Sequence, residues 1–211
     1  MEKHTSYYNL LEQLAGQACP ICAQVHKSLQ GFLDTYLYEG VTDDTNWNRL
    51  SAAGGWCARH AQQLEGFSDG LAVALFYGHE IRKRIGKLNA KKAWFKRQAP
   101  LSPCPGCAYQ ADIEASLAHM IAQSMAEPEF KAAFEAHAGL CLPHSEAVLA
   151  RMKGQPARDF SVLASRQLER LCAELDEIVK KSDYRNTEKM GAEGDAWKRA
   201  LRRVYGPHYA P

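Results

Sequence analysis

One cysteine pattern is written twice along this chain. A CPxC pair stands at residues 19–22 as CPIC and again at residues 104–107 as CPGC. Each pair is followed by a CxxH motif, GWCARH and GLCLPH, whose cysteine comes 35 and 34 positions after the last CPxC cysteine. Because an internal repeat sets the architecture of a chain, this duplication constrains the fold more than any other feature.

The repeated residues are the types that bind a metal ion. A CxxC pair can direct two thiolates at one ion, and a CxxH pair adds a third sulfur and an imidazole nitrogen. Together they form a four-coordinate set typical of structural zinc. The sequence therefore predicts two Zn²⁺ sites, and an iron–sulfur cluster on the same ligands is the alternative. The eight predicted ligands are Cys19, Cys22, Cys57, His60, Cys104, Cys107, Cys141 and His144.

The leading expectation is that each copy closes its own site. A helix behind each CPxC carries the chain away, and a shorter helix with its extended flanks can bring it back to the CxxH. Pairing across the copies stays open, with Cys19 and Cys22 meeting Cys141 and His144. The sequence does not decide between the two pairings.

Two other interpretations of the cysteine pairs are weaker. Cysteines at helix starts can be small buried core residues, but this leaves the matched histidines unexplained. A redox dithiol is the other interpretation, and the chain lacks the βαβ context usual for that motif. The count of seven cysteines is odd, and CxxC pairs in a reducing compartment are more typical of metal ligands than of disulfides.

Helical periodicity follows both CPxC pairs and predicts an all-α fold. The two stripes share the same offsets, and no segment shows the sustained alternation of a strand. They consist of Val25, Leu29, Phe32, Leu33 and Tyr36 in the first copy, and of Ile113, Leu117, Met120, Ile121 and Ser124 in the second.

Each copy continues with three further predicted helices. The first is short, with Asp44 or Thr45 as N-cap in one copy and Pro128 in the first turn in the other, and it stops at glycine. The second starts at the CxxH. The third is long, with apolar stripes at Leu71, Ala74, Ile81, Ile85 and Leu88, and at Phe160, Leu163, Leu168, Leu171, Leu175 and Ile178.

These elements predict a helical bundle of two pseudo-equivalent units. The first unit, with a basic connector, covers residues 1–98, and the second covers residues 99–182. Residues 183–211 form a C-terminal tail with a short helix. The two units are expected to pack as one domain.

Composition is ordinary for a soluble globular protein, with 46% apolar and 24% charged residues and a net charge of +2. No apolar run approaches the ~20 residues that a membrane-spanning helix needs, and the acidic, Tyr-bearing N-terminus is unlike a secretory signal. We expect a cytoplasmic protein that does not bind membranes.

Residues outside the repeat are predicted to be structural. Cys172 stands at helical spacing between Leu168 and Leu175, which favours a buried core thiol over a seventh ligand. His79, His119 and His137 each stand alone on a predicted helix and are expected to be surface or hydrogen-bonded residues. No phosphate loop, nucleophile elbow or HExxH motif is present, so enzymatic activity is not expected.

A basic run from Arg82 to Gln98 joins the copies and contains no acid. It is interpreted first as a solvated helix face running into a connector. Binding of nucleic acid or another polyanion is the alternative, with Trp94 and Phe95 available for stacking. Its cations are Arg82, Lys83, Arg84, Lys87, Lys91, Lys92, Lys96 and Arg97, and a second cluster holds Lys198, Arg199, Arg202 and Arg203.

The motifs together resemble the bacterial family called domain of unknown function 6062. The matching stretches are CPIC, GWCARH, CPGC, EFKAAFEAHAGLCLPH and SDYRNTEKMGAEGDAWKRAL, which run from about Cys19 to about Leu201. Trp56 and Leu140 stand where the family usually has phenylalanine. The resemblance implies a helical protein and implies no activity.

The sequence thus favours a non-enzymatic helical protein held by two three-thiolate, one-imidazole zinc sites and acting as a scaffold or adaptor. An iron–sulfur electron-transfer protein and a nucleic-acid-binding protein are the other two hypotheses.

Overall fold

A computed structural model describes residues 5–40, 43–67, 70–89 and 102–206. Within them the all-α prediction is confirmed, because ten α-helices and a short 3-10 helix are present and no strand is. The helices are α1 (Thr5–Gln13), α2 (Pro20–Tyr38), α3 (Asp44–Ala52), α4 (Ala58–Leu64), α5 (Gly70–Asn89), α6 (Pro105–Ser124), α7 (Pro128–Ala136), α8 (Leu142–Leu149), α9 (Gly154–Lys181) and α10 (Ala196–Tyr205), with the 3-10 helix at Ala192–Asp195.

The two copies of the motif have the same order of helices. A long helix opens at the CPxC proline, a short helix follows, a third starts directly after the CxxH cysteine, and a fourth is long. The stripes predicted on α2 and α6 face the interior, with Leu29, Leu33, Leu117 and Ile121 all buried. Helical periodicity therefore identified the inward faces of these two helices correctly.

Local signals set the ends of the short helices. The N-cap of α3 is Asp43, not Asp44 or Thr45, because its carboxylate accepts hydrogen bonds from the backbone N–H groups of Thr45 and Asn46. Pro128 occupies the first turn of α7 as predicted. Gly55 and Gly139, two residues before the CxxH cysteines, have φ of 107° and 99°, a region that favours glycine.

The stripe predicted on α5 is not the face that this helix buries. Its large apolar members are exposed, and the buried side chains are Ala72, Phe76 and Glu80. Phe76 packs edge-on against Trp47, with ring centroids 5.2 Å apart. The aromatic residues around α3 and α5 thus select the face turned inward, and the longer aliphatic stripe is left in contact with solvent.

Contacts divide the chain into two compact units: residues 1–25 with 114–211 form unit 1, and residues 26–113 form unit 2. The core of unit 1 includes Phe130, Phe134 and Phe160, which are almost fully buried. The core of unit 2 includes Leu33 and Trp56, and Phe32 stacks on Tyr109 with centroids 4.2 Å apart.

These units differ from the sequential division at residues 98 and 182. Each unit combines the CPxC of one copy with the CxxH of the other. This division follows the ligands, because each group of four cysteine and histidine side chains is drawn from both copies. No helix in the described part of the chain has the length and apolarity needed to cross a bilayer.

A glycine-to-alanine substitution should have opposite effects on stability at two positions, Gly139 and Gly31. Gly139→Ala should lower the free energy of unfolding by about 1–3 kcal/mol, because a side chain at positive φ is strained. Its Cβ would also lie 2.5 Å from Oε1 of Gln167. Gly31→Ala, in the exposed middle of α2 with nothing within 4 Å of the new Cβ, should raise stability by about 0.5–1 kcal/mol. Thermal melts of both variants check the signs, and equal effects would contradict this account of Gly139.

Candidate metal sites

The structure brings the eight predicted ligands into two groups of four. Within each group every ligand atom lies within 4.8 Å of the others. Site A consists of Cys19, Cys22, Cys141 and His144, and site B consists of Cys57, His60, Cys104 and Cys107. Site A lies entirely in unit 1 and site B entirely in unit 2.

The pairing crosses between the copies, so the expectation that each copy closes its own site is wrong. The short helix after each long one does not return the chain to the CPxC from which it started. Cys57 and His60 instead lie in the unit that contains the second CPxC. Both copies offer the same ligand types, so either pairing gives the same chemistry. The path of the chain decides which CPxC pairs with which CxxH.

Site A is closely packed around the imidazole of His144. Its Nδ1 lies 3.1 Å from Sγ of Cys141 and 3.4 Å from Sγ of both Cys19 and Cys22. The sulfurs of Cys22 and Cys141 are 3.7 Å apart. Three of the four residues are buried, and Cys22 is partly buried.

Site B has nearly the same internal spacing. Nδ1 of His60 lies 3.2 Å from Sγ of Cys104, 3.3 Å from Sγ of Cys57 and 3.6 Å from Sγ of Cys107. The sulfurs of Cys57 and Cys107 are 3.7 Å apart. Both of these cysteines are partly exposed, so site B is the more accessible of the two.

These spacings fit one tetrahedral ion in each site. With Zn–S near 2.3 Å and Zn–N near 2.0–2.1 Å, tetrahedral geometry separates two ligand sulfurs by ~3.8 Å and a sulfur from a nitrogen by ~3.6 Å. The Cys22–Cys141 and Cys57–Cys107 sulfur pairs are each 3.7 Å apart, and the sulfur–nitrogen pairs are 3.1–3.6 Å apart. An iron–sulfur cluster places several irons and sulfides between its ligands and needs wider spacing.

Helix starts surround both sites. Cys57 and Cys141 are the N-caps of α4 and α8, with extended backbones and no side-chain capping bond. Cys19 and Cys104 directly precede α2 and α6. The sulfurs therefore lie where unpaired N–H groups and the positive ends of helix dipoles favour negative charge.

Without an ion, the groups of site A share protons unequally. Burial opposes ionisation of Cys19, but hydrogen bonds to Cys141, Cys22 and His144 outweigh it and hold the Cys19 pKa well below the usual thiol range. Burial also opposes protonation of His144, yet bonds to Cys141 and Cys19 raise its pKa to about 11. Hydrogen bonds to Cys141 and Cys19 raise the pKa of Cys22. Ionisation of one thiol in site A therefore disfavours ionisation of the next thiol.

Site B distributes charge differently. Burial, with the nearby charge of Arg59, lowers the pKa of His60 to about 4. Burial and the hydrogen bond to Cys104 raise the pKa of Cys107 to about 12. The imidazole of site B is thus neutral near pH 7, the state in which histidine binds a metal.

A carboxylate and an amide on α6, those of Glu114 and Gln110, interact with the two ligand histidines. Oε1 of Glu114 is 3.8 Å from Nε2 of His144. In site B, Gln110 raises the pKa of His60 against the stronger effects of burial and Arg59, and Arg59 donates to Gln110 Oε1 at 2.7 Å. Such partners orient ligand histidines at metal sites and increase their basicity.

His137 fixes the backbone on both sides of site A. Its Nε2 donates to the carbonyl of Ala18, next to Cys19, at 3.1 Å. Its Nδ1 accepts from the N–H of Gly139 at 2.9 Å. The bond accepted by Nδ1 requires the neutral ring, and burial together with the charge of Arg203 lowers the pKa of His137. The prediction of a hydrogen-bonded structural histidine is confirmed.

The C-terminal helix α10 covers site A. Arg203 is buried and donates to the carbonyl of Gly139. Burial lowers the pKa of Arg203, and the sulfurs of Cys19, Cys141 and Cys22 oppose that shift. Gly206, just past α10, approaches so closely that a Cβ there would lie 2.7 Å from Sγ of Cys141. The guanidinium thus offsets negative charge at this site.

Glycine has a comparable role in site B. A Cβ at Gly106 would lie 2.9 Å from Cγ and Nδ1 of His60, so the imidazole rests directly on the backbone of the CPGC turn. The corresponding residue in site A is Ile21, which is fully buried. The two sites therefore have the same types of ligand in different surroundings.

The remaining predicted residues lie outside both sites. Cys172 is exposed, so its assignment as a buried core thiol was wrong: its helical spacing from Leu168 and Leu175 does not fix which face of α9 is covered. His119 is exposed. His79 is also exposed, and its ring lies edge-on to Trp47 with centroids 5.6 Å apart.

The basic run is described only in part. Arg82 is exposed, Lys83 bonds Ser51 and Glu80, and Arg84 donates to the carbonyl of Gly54. Lys91, Lys92, Lys96 and Arg97, with Trp94 and Phe95, lie outside the described residues, as does the side chain of Lys87. In the second basic cluster, Arg199 pairs with Glu174 and Asp195.

Sequence reasoning missed the groups that support site A. Arg203 was named only as a member of the second basic cluster, and Gln167 was not singled out. Gln167 is buried and donates to the carbonyls of Phe134 and His137 at 2.8 and 3.0 Å. A glutamine among the leucines of α9 was the available signal, since buried polar side chains need partners.

The fold and the two sites define a class: an all-α protein with two clusters of three cysteines and one histidine that could each hold a metal ion. The chain belongs to the family of unknown function DUF6062, which matches residues 9–210. It is similar to an uncharacterized 23.9 kDa protein in the xynA 3' region of Caldicellulosiruptor sp. (strain Rt8B.4), with 30% identity over 84% of this chain and 88% of that protein. No solved structure matches this chain.

Replacing His137 should destabilise the protein in a pH-dependent way. His137→Ala removes partners from two backbone groups and should lower the free energy of unfolding at pH 7–8 by about 1–3 kcal/mol. Because the folded-state pKa of His137 lies below 6.5, its contribution is complete above that pH and is lost as the pH falls. The difference from wild type in denaturant unfolding should therefore shrink toward about pH 5.

His119→Ala, an exposed change on α6, is the control and should stay within about 0.5 kcal/mol of wild type. A difference for His137→Ala that grows on acidification would contradict the assigned tautomer.

Proposed function

We propose that this protein is a metal-stabilised helical scaffold or adaptor without catalytic activity of its own, in which sites A and B each hold one Zn²⁺. The observation that carries the proposal is the spacing within each site. Four ligand atoms lie within 4.8 Å of one another, and the closest pairs, at 3.1–3.7 Å, are near the separations in a tetrahedral site.

The ligand set supports a structural role for the ion. Three thiolates and one imidazole fill all four positions, whereas a catalytic zinc keeps one position for water or substrate. Three thiolates around a divalent ion leave a net charge of −1, which the helix starts and, at site A, Arg203 compensate. The bound metal supplies folding free energy by joining distant parts of the chain.

Thiolate ligation suits a reducing compartment, so we place the protein in the cytoplasm. An iron–sulfur electron-transfer protein remains the rival, and its ligands should be more widely spaced than those found in either site.

Elemental analysis of protein purified without added metal tests the proposal. Two zinc ions per chain are expected. Cys141→Ser and Cys57→Ser should each lose one ion, and Cys172→Ser, at an exposed cysteine outside both sites, should retain two. Iron with sulfide, in a brown protein, would establish the rival. A metal-free, fully helical protein that melts like the metal-loaded one would overturn the proposal.

Site B should depend on the absence of a side chain at residue 106. Gly106→Ala drives a methyl group into the imidazole of His60. We expect a loss of metal affinity at site B of about 10–100-fold, the effect typical of disturbing the shell around a ligand. Competition with a coloured chelator measures this, and one ion per chain should become easy to remove.

Gly86→Ala on α5 in the same unit is the matched control, because nothing lies within 4 Å of its new Cβ. If both glycine variants release metal alike, the close approach at Gly106 has no special role.

A further inference from the structure

Helix α5 exposes a continuous apolar stripe. Its large members, which are 49–70% exposed, are Leu71, Leu75, Ile81, Ile85 and Leu88. Ala74 is exposed on the same face, and Gly78 is partly exposed. From Leu71 to Leu88 the stripe is about 26 Å long at ~1.5 Å per residue. Scattered apolar residues on a surface are normal, but a contiguous patch of this kind marks an interaction surface.

The spacing along the stripe is that of a coiled-coil seam. Leu71, Ala74, Gly78, Ile81, Ile85 and Leu88 are separated alternately by three and four residues. This is the a and d pattern of a heptad repeat, whose partner is another helix. The opposite face of α5, with Ala72 and Phe76, is already buried in the core of unit 2.

We propose that a second copy of this chain covers the stripe, with the two α5 helices antiparallel about a two-fold axis. The seam has small residues on one side of its midpoint, at Ala74 and Gly78, and large ones on the other, at Ile81 and Ile85. Antiparallel pairing places Ala74 opposite Ile85 of the second copy, and Gly78 opposite its Ile81. Each small residue then receives a large one, whereas a parallel pair would set glycine on glycine and leave a void.

Charge supports the same arrangement. The exposed cations of α5 stand in its C-terminal half, at Arg82, Lys83 and Arg84. In this register the clusters of the two copies lie about 10 Å apart along the helix axis, whereas parallel pairing would set the like charges side by side. A two-fold interface uses the same patch on both copies, as this seam requires.

The interface rests on α5 alone and is independent of the metal chemistry proposed for sites A and B. One pair of helices of this length lies at the low end of specific interfaces, below roughly 1,200 Å² in total. We therefore expect a weak dimer with a Kd of micromolar order, which depends on protein concentration.

Sedimentation velocity of the full chain with its metal as purified tests the interface. Wild type should pass from monomer to dimer as its concentration rises to about 100 μM. Ile85→Glu should weaken the dimer at least tenfold without changing helicity, since Ile85 is exposed in the monomer. Val179→Glu, at a valine on α9 that is 72% exposed, should have no effect.

A charge pair tests the direction. Ala74→Lys combined with Ile85→Glu should restore the dimer, because each lysine then faces a glutamate of the second copy. The two positions are about 16 Å apart along one helix, so they cannot pair within a chain. A wild type that stays monomeric, an Ile85→Glu variant that dimerises normally, or a double variant that does not recover would each overturn the proposal. A monomer whose stripe is covered by its own residues 90–101 gives the first of these results.

Discussion

Crowding of sulfur and nitrogen atoms is the constraint on which this structure depends. In each site three thiols and an imidazole lie within 4.8 Å, with little room for more than one negative charge in the absence of a cation. The opposed pKa shifts of Cys19 and Cys22 express this, since one thiol ionises and thereby holds the proton on its neighbour. A divalent cation removes the conflict, because it favours the ionised form of every thiol and the neutral form of the imidazole.

Crossing of the ligand pairs explains how the chain is divided. Residues 26–113 close on themselves through site B, while site A joins residues 19 and 144, which are 125 positions apart. An ion at site A therefore closes the longer loop and restricts the unfolded chain more than an ion at site B. Site A is also held by more surrounding side chains than site B. Site A has His137, Gln167 and Arg203 around it, and site B has a close backbone contact at Gly106 and two partly exposed sulfurs.

Local patterns predicted the helices, the ligand residues and the inward faces of α2 and α6, because helix periodicity and CxxC spacing are short-range properties. Which CPxC pairs with which CxxH could not be predicted from the sequence, because the two copies offer the same donors and only the path of the chain between them differs. Periodicity also failed on α5 and at Cys172. An apolar stripe indicates a helix face that favours burial, but it does not show whether that face is buried in the same core. On α5, aromatic packing at Phe76 turned the other face inward.

Cadmium-113 NMR of the metal-exchanged protein tests the central claim most directly, because each cadmium resonance couples to the β-protons of the cysteines that bind it. The account predicts two resonances. One should correlate with Cys19, Cys22 and Cys141, and the other with Cys57, Cys104 and Cys107. A resonance that correlates with Cys19, Cys22 and Cys57 would show that each copy closes its own site and would contradict the crossed pairing.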